Sequence, residues 1–278
     1  MSTKNGKIQY VVVTDLDGTL LDHHNYDWQP AQAALNYLSE KSIPVVINTS
    51  KTSVEVLQLQ KNMNLNETFI VENGSAIFIP DSKETQRTTE LVKRGDHWIK
   101  ILGLEKKIIL ESLQQIKAQT QWKFEGFSDW STEEIMSATG LSRDEANDAS
   151  QREFSEPLVW NDSEENYQQF CNEISQRNLK ILKGGRFIHI IGETDKGQAT
   201  RWLKSWHEMQ NKIQCSLIVL GDGPNDIDML NVSDYAVLVK SPAHDFPIIN
   251  RKEAAIFTKA FGPEGWNEAI NMLKSSFI

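Results

Sequence analysis

Two aspartates one residue apart close the run YVVVTDLDGTLLD at residues 10–22: Asp15 and Asp17, with Gly18 and Thr19 directly behind them. Like charges at the end of an apolar segment repel unless a cation or a proton is shared between them. Other chemistry-bearing residues hold comparable places: Thr49 and Lys51 after IPVVIN, Lys196 in TDKGQA, and Asp222, Asn225 and Asp226 in GDGPND after SLIVL. With oxygen ligands and no His or Cys at ligand spacing, the set fits a hard cation, and Mg²⁺ is the expected cofactor. A metal, a nucleophile and a lysine are the equipment of phosphoryl transfer. On this reading Asp15 attacks phosphorus and forms an aspartyl-phosphate. Asp17 protonates the leaving alkoxide and then deprotonates the hydrolytic water. Thr49 and Lys196 hold phosphate oxygens, and Asp222 completes the metal's ligands. An EF-hand is excluded, because the sixth position from Asp15 is Leu20 rather than Gly, and no GxxxxGK[ST] Walker loop occurs.

Such residues act together only if elements bring them to one place. Residues 10–14 form an apolar run without alternation, as in a parallel strand covered on both faces. Pro30 with Ala31, Ala34, Leu35 and Leu38 predicts a helix through about residue 41, and residues 43–50 predict a second buried strand. A helix through Val54 and Leu57 and two strands turning at Asn73-Gly74 follow. The pattern resumes at 196 with a helix to about 210, the strand CSLIVLGD, a helix near 226–231, the strands YAVLVK and AAIFTK, and a helix from about Gly265. Between them, residues 84–187 are more polar, carry capping boxes at Ser131-x-x-Glu134 and Ser142-x-x-Glu145, and end in a hairpin signal at Gly184-Gly185. The expected architecture is α/β: a Rossmann-like parallel-sheet core at 1–83 and 188–278, with an inserted α+β cap domain at 84–187. Thr49 and Lys196 stand 147 positions apart, too far for a single connection.

The composition narrows the partners. Hydrophobic residues at 39% suffice for a folded core, and a net charge of -9 argues against nucleic acid. Cys171 and Cys215 fit no metal spacing and read as reduced thiols. No signal-peptide or membrane-span pattern is found, so a cytoplasmic protein acting on a small molecule is expected.

DLDGT, the strand-end Thr49, Lys196 in DKGQA, and GDGPND resemble, in chain order, the four motifs of the haloacid dehalogenase superfamily of Mg²⁺-dependent phosphatases. The resemblance implies that Asp17 ligates the metal through its backbone carbonyl, leaving its carboxyl for proton transfer. It also implies that Asp15 and Asp222 are ligands, with Asp226 or Asn225 among or beside them. Within the superfamily, TSKT, VENGSAIF, REFSEPLVW, KGGRFIHIIG and GPEGWNEAI resemble mannosyl-3-phosphoglycerate phosphatases. That likeness implies a phosphorylated sugar-glycerate substrate released as mannosylglycerate. Arg152 and Arg186 would then pair with its carboxylate, while Glu153, Ser155 and His189 bond hydroxyls. Lys51 would sit beside the phosphate, with Asn73 and Asn225 among the substrate-binding residues. Bland alternatives stay open: Arg152 and Glu153 as a surface ion pair, His189 as a satisfied strand histidine, and a broader sugar or polyol phosphatase.

Overall fold

The β-branched run before Asp15 forms a strand, and apolar stripes of period 3.6 form the helices around it. A computed structural model describes residues 8–81, 89–184, 186–251 and 255–277. The elements run β1 (Ile8–Thr14), α1 (Gln32–Glu40), β2 (Val45–Asn48), α2 (Ser53–Asn62), β3 (Phe69–Val71), β4 (Ala76–Pro80), β5 (Val92–Arg94) and β6 (His97–Ile101). Next come α3 (Lys106–Gln119), β7 (Phe124–Gly126), α4 (Thr132–Thr139), α5 (Arg143–Ser150), β8 (Ser155–Trp160), α6 (Glu164–Gln176), β9 (Leu179–Lys183) and β10 (Ile188–Gly192). The last are α7 (Lys196–Asn211), β11 (Gln214–Gly221), α8 (Ile227–Asn231), β12 (Tyr235–Lys240), β13 (Ile256–Phe261) and α9 (Gly262–Leu273).

Among the described residues the main sheet has nine strands in the order β13-β12-β11-β1-β2-β3-β4-β6-β5. From β13 to β3 neighbours are parallel; β4, β6 and β5 add antiparallel. Alternate residues of β1 enter opposite layers, which explains its unbroken apolar sequence. Val11 and Val13 pack with Ala199 and Leu203 of α7 and Met229 and Leu230 of α8. Val12 packs with Ala34, Leu35 and Leu38 of α1 and Trp266, Ala269 and Ile270 of α9.

A second, antiparallel sheet, β7-β8-β10-β9, has a separate core. Ile109, Leu113 and Ile116 of α3 and Tyr167, Phe170 and Ile174 of α6 pack there on Phe124, Leu158 and Ile190. Both expected capping boxes form, opening α4 and α5. The hairpin expected at Gly184-Gly185 joins β9 to β10, with Gly185 itself outside the described residues.

The sheets divide the chain at other positions than 83/84 and 187/188. Residues 92–101, expected in the insertion, are β5 and β6 and hydrogen-bond to the main sheet through β4. β10, expected in the core, belongs to the second sheet. Short strands of mixed polarity carry no local mark of which sheet they join, since pairing is a tertiary choice. Helix α9 begins at Gly262 rather than Gly265, because Pro263 suits a first turn.

Candidate active site

β1 and β11 lie side by side and end together, so the residues that follow them are neighbours despite some 200 intervening positions. The Asp15 amide donates to the Leu220 carbonyl at 3.0 Å, extending the pairing one residue beyond β1. Asp15, Asp222 and Asp226 are buried, and each offers a carboxylate oxygen within 4.8 Å of the others'. Gly18 makes the approach possible: its φ is +81°, and a Cβ there would stand 2.7 Å from Asp222 Oδ2. The Thr19 hydroxyl donates to Asp222 Oδ1 at 2.9 Å.

Lys196, the first residue of α7, reaches in from the adjacent helix. Its Nζ donates to Asp15 Oδ1 at 2.6 Å and to Asp226 Oδ1 at 2.8 Å. Burial alone would lower its pKa, but the two carboxylates outweigh that and raise it, so the amine stays charged. Burial, then the neighbouring Asp226, raises Asp15 to about 7 against the pull of Lys196. Burial and Asp15 raise Asp222 to about 6. Burial likewise raises Asp226. One ammonium does not neutralise three buried carboxylates, and this deficit is a donor set suited to a divalent cation.

Asp226 already spends its oxygens: Oδ1 on Lys196, and Oδ2 on the amides of Asp222 and Gly223, both at 3.0 Å. It therefore organises the turn that carries Asp222. Asp17 stands at the rim, its carboxylate 3.0 Å from Lys51 Nζ. Burial would lower the Lys51 pKa, but Asp17 and Glu55 raise it. Thr49 is buried; its carbonyl accepts from the Asn73 amide at 2.9 Å and its hydroxyl oxygen from the Lys51 amide at 3.2 Å. Asn73, at φ +60°, lies 3.5 Å from the Asn225 side-chain amide.

The residues expected from the insertion separate into two groups. Arg152 reaches the site's edge: its guanidinium donates to the Ser50 carbonyl at 3.1 Å and to Ser155 Oγ at 2.9 Å, while Nε has no partner among the described residues. His189 is half-buried, its enclosed Nδ1 is equally unpartnered among the described residues, and desolvation followed by Arg152 pushes its pKa down to about 3, so the ring is neutral. Arg186 instead donates to the Thr139 carbonyl at the end of α4. Glu153 is engaged by Arg94 and by the Ser53 hydroxyl.

Two contributors escaped sequence reasoning. The Trp266 indole donates to Thr14 Oγ1 at 3.0 Å, bracing the residue before Asp15 from the far α9. Glu72, 1% exposed, accepts the amides of Glu153 and Phe154 at 2.9 and 3.1 Å. Neither had a local signal, as their partners lie 252, 81 and 82 positions away.

Residues 12–246 match the family model of the haloacid dehalogenase-like hydrolases. The chain belongs to that family. Its fold is similar to that of a haloalkanoate-superfamily phosphatase from Bacteroides thetaiotaomicron, with a TM-score of 0.65 at 16% identity over 100% of this chain and 99% of the other. It is also similar to a sucrose-phosphatase from Synechocystis sp. PCC6803 solved with sucrose and phosphate, with a TM-score of 0.60 at 16% identity over 96% and 99%. A subclass IIB sugar phosphatase of the superfamily gives 0.62 at 16% identity over 97% and 100%. No helix among the described residues is long and apolar enough to cross a membrane.

Proposed function

We propose that the protein is a Mg²⁺-dependent phosphomonoester hydrolase acting on a phosphorylated sugar-glycerate, with mannosyl-3-phosphoglycerate as the substrate and mannosylglycerate as the product. The observation that carries the phosphatase reading is the convergence of Asp15, Asp222 and Asp226 on Lys196 where β1 and β11 end. Asp15 and Asp222, with the Asp17 carbonyl, would hold the cation; Asp226 is better suited to fixing Lys196 and the 222–223 amides. When bound, the cation supplies positive charge that keeps Asp15 ionised and offsets charge on the phosphoryl group.

An Asp15 oxygen bonds to phosphorus as the bond to the leaving oxygen breaks, and Asp17 gives that oxygen its proton. A water then attacks the aspartyl-phosphate and Asp17 takes the water's proton, which restores Asp15 and releases phosphate. Lys51 holds the Asp17 carboxylate in place from 3.0 Å. Lys196 and the Thr49 hydroxyl would bind phosphate oxygens.

The narrow substrate reading is supported by Arg152, whose side chain is largely buried at the edge of the phosphate loop, residues 49–51, and whose Nε has no partner among the described residues, which suits a leaving group that carries a carboxylate. The wider reading, a general sugar phosphatase, is favoured by the fold shared with a sucrose-phosphatase and a subclass IIB sugar phosphatase. A panel of phosphomonoesters with Mg²⁺ separates them. Preference for mannosyl-3-phosphoglycerate by about tenfold or more in kcat/KM supports the narrow reading. Equal turnover of simple hexose phosphates sinks it, and no turnover of any member sinks the phosphatase reading as well.

A further inference from the structure

Glu72 belongs to none of the motifs that define the reaction, yet its carboxylate joins the β3–β4 turn to residues 153–155. It sits on the core turn between β3 and β4, where Glu72, Asn73 and Gly74 all have positive φ, at 49°, 60° and 91°. Two consecutive non-glycine residues in the left-handed region are a strained arrangement that surrounding bonds must hold. On the core side those bonds go to the phosphate loop: the Glu72 amide donates to the Lys51 carbonyl at 3.1 Å and the Asn73 amide to the Thr49 carbonyl at 2.9 Å. On the other side the carboxylate meets the segment that leads from α5 into β8. Oε1 accepts the Glu153 amide, Oε2 accepts the Phe154 amide and the Ser155 hydroxyl, and the Arg152 guanidinium lies 3.9 Å from Oε2.

Arg152 closes the circuit. Its Nη1 donates to the Ser50 carbonyl, in the same loop that Glu72 grips through its backbone, and to Ser155 Oγ, which itself donates to Glu72. The guanidinium is thereby fixed from two sides while Nε–H, buried and without a partner among the described residues, is left for another acceptor. Leaving a buried charged donor unpaired is costly, so its persistence here calls for a ligand.

We propose that Glu72 is a positioning residue for substrate selection: it fixes the Arg152–Ser155 segment to the phosphate loop, so that the free edge of Arg152 meets an anionic or hydroxyl oxygen of the leaving group. The inference rests on the phosphatase reading but not on which sugar is carried. Glu72 touches no reacting atom and acts through Arg152. A purely structural Glu72 would affect every substrate alike, whereas a positioning residue affects only substrates whose leaving group reaches Arg152.

The experiment compares wild type, Glu72→Gln, Arg152→Ala and the double variant. The substrates are p-nitrophenyl phosphate, whose leaving group has neither carboxylate nor sugar hydroxyls, and the sugar phosphate that wild type hydrolyses best. Glu72→Gln is expected to raise KM for the sugar phosphate by about tenfold or more while changing kcat/KM for p-nitrophenyl phosphate less than about twofold. In the Arg152→Ala background it should add little further loss. Ser155→Ala, which removes the hydroxyl shared by Glu72 and Arg152, should give the same selective loss in weaker form, and it carries the test if Glu72→Gln does not fold. Equal losses on both substrates, losses that add fully with Arg152→Ala, or no loss overturn the proposal. Wild type inactive on both substrates overturns the phosphatase reading itself, and the inference with it.

Discussion

Where β1 and β11 end, a single ammonium serves two carboxylates. Removing the positive partner from a buried ion pair costs roughly 3–5 kcal/mol, so Lys196→Met should destabilise the metal-free protein by about that much at pH 8. The loss should shrink at pH 5. Asp15 is raised to about 7 from an unfolded value of 3.8, so the folded chain holds a proton there that the unfolded chain releases. Stability from that proton is full below pH 3.8 and disappears as pH rises through about 7. Urea unfolding of both proteins at the two pH values checks this; an equal loss at each would remove the shared-charge account. His207 behaves oppositely. Burial lowers it to about 4, and neither ring nitrogen has a partner among the described residues. Between an unfolded value near 6.5 and about 4 the unfolded chain binds a proton that the folded one refuses. Stability should therefore drop as the pH is lowered from about 6.5 to about 4, by up to about 1.4 kcal/mol per unit, and His207→Gln should flatten the slope.

Among the elements, α7 has the most exacting seat, because its first residue is Lys196. The turn at Gly74 lies against it: a Cβ at that position would stand 2.2 Å from the Asp195 carbonyl oxygen, at a φ of +91° that disfavours any side chain. Gly74→Ala should thus push the start of α7 away, lowering stability by more than about 2 kcal/mol and reducing kcat with it. Thermal melts and initial rates test the pair of effects; a normal melt with normal turnover would show that the turn can yield. Helix α2 is braced more gently. Thr52 forms its capping box with Glu55 and also donates to the Asp148 carbonyl, so Thr52→Ala should cost about 1–2 kcal/mol in the same melts. The strand ends carrying Asp15, Thr49 and Asp222 were legible because apolar runs and polar ends are local patterns. Pairing is not local. Nothing within residues 92–101 says that they extend the main sheet, and nothing beside Arg186 says that it will bond the end of α4.

Across the whole molecule, the three buried carboxylates and one lysine amount to a charge deficit that a divalent cation would relieve. Adding Mg²⁺ at pH 8 should raise the melting temperature by a few degrees, more than at pH 5, where protons already occupy the site. Asp222→Asn should abolish the rise, which differential scanning would show directly. The α/β core and the existence of an insertion were readable from alternating patterns and from the distance between Thr49 and Lys196. The Glu72 bridge was not, because it exists only once two distant segments meet. The strand order has one more consequence, for the time course of folding. β1 sits between β2 and β11, with Val13 facing Val219 across the parallel ladder. During synthesis, therefore, one edge of β1 has no native neighbour until some 200 further residues have been made. The 124–192 sheet, whose strands pair among themselves, can close first. Asp15 thus leaves the ribosome some 200 residues ahead of Asp222 and gains its native surroundings only when β11 arrives.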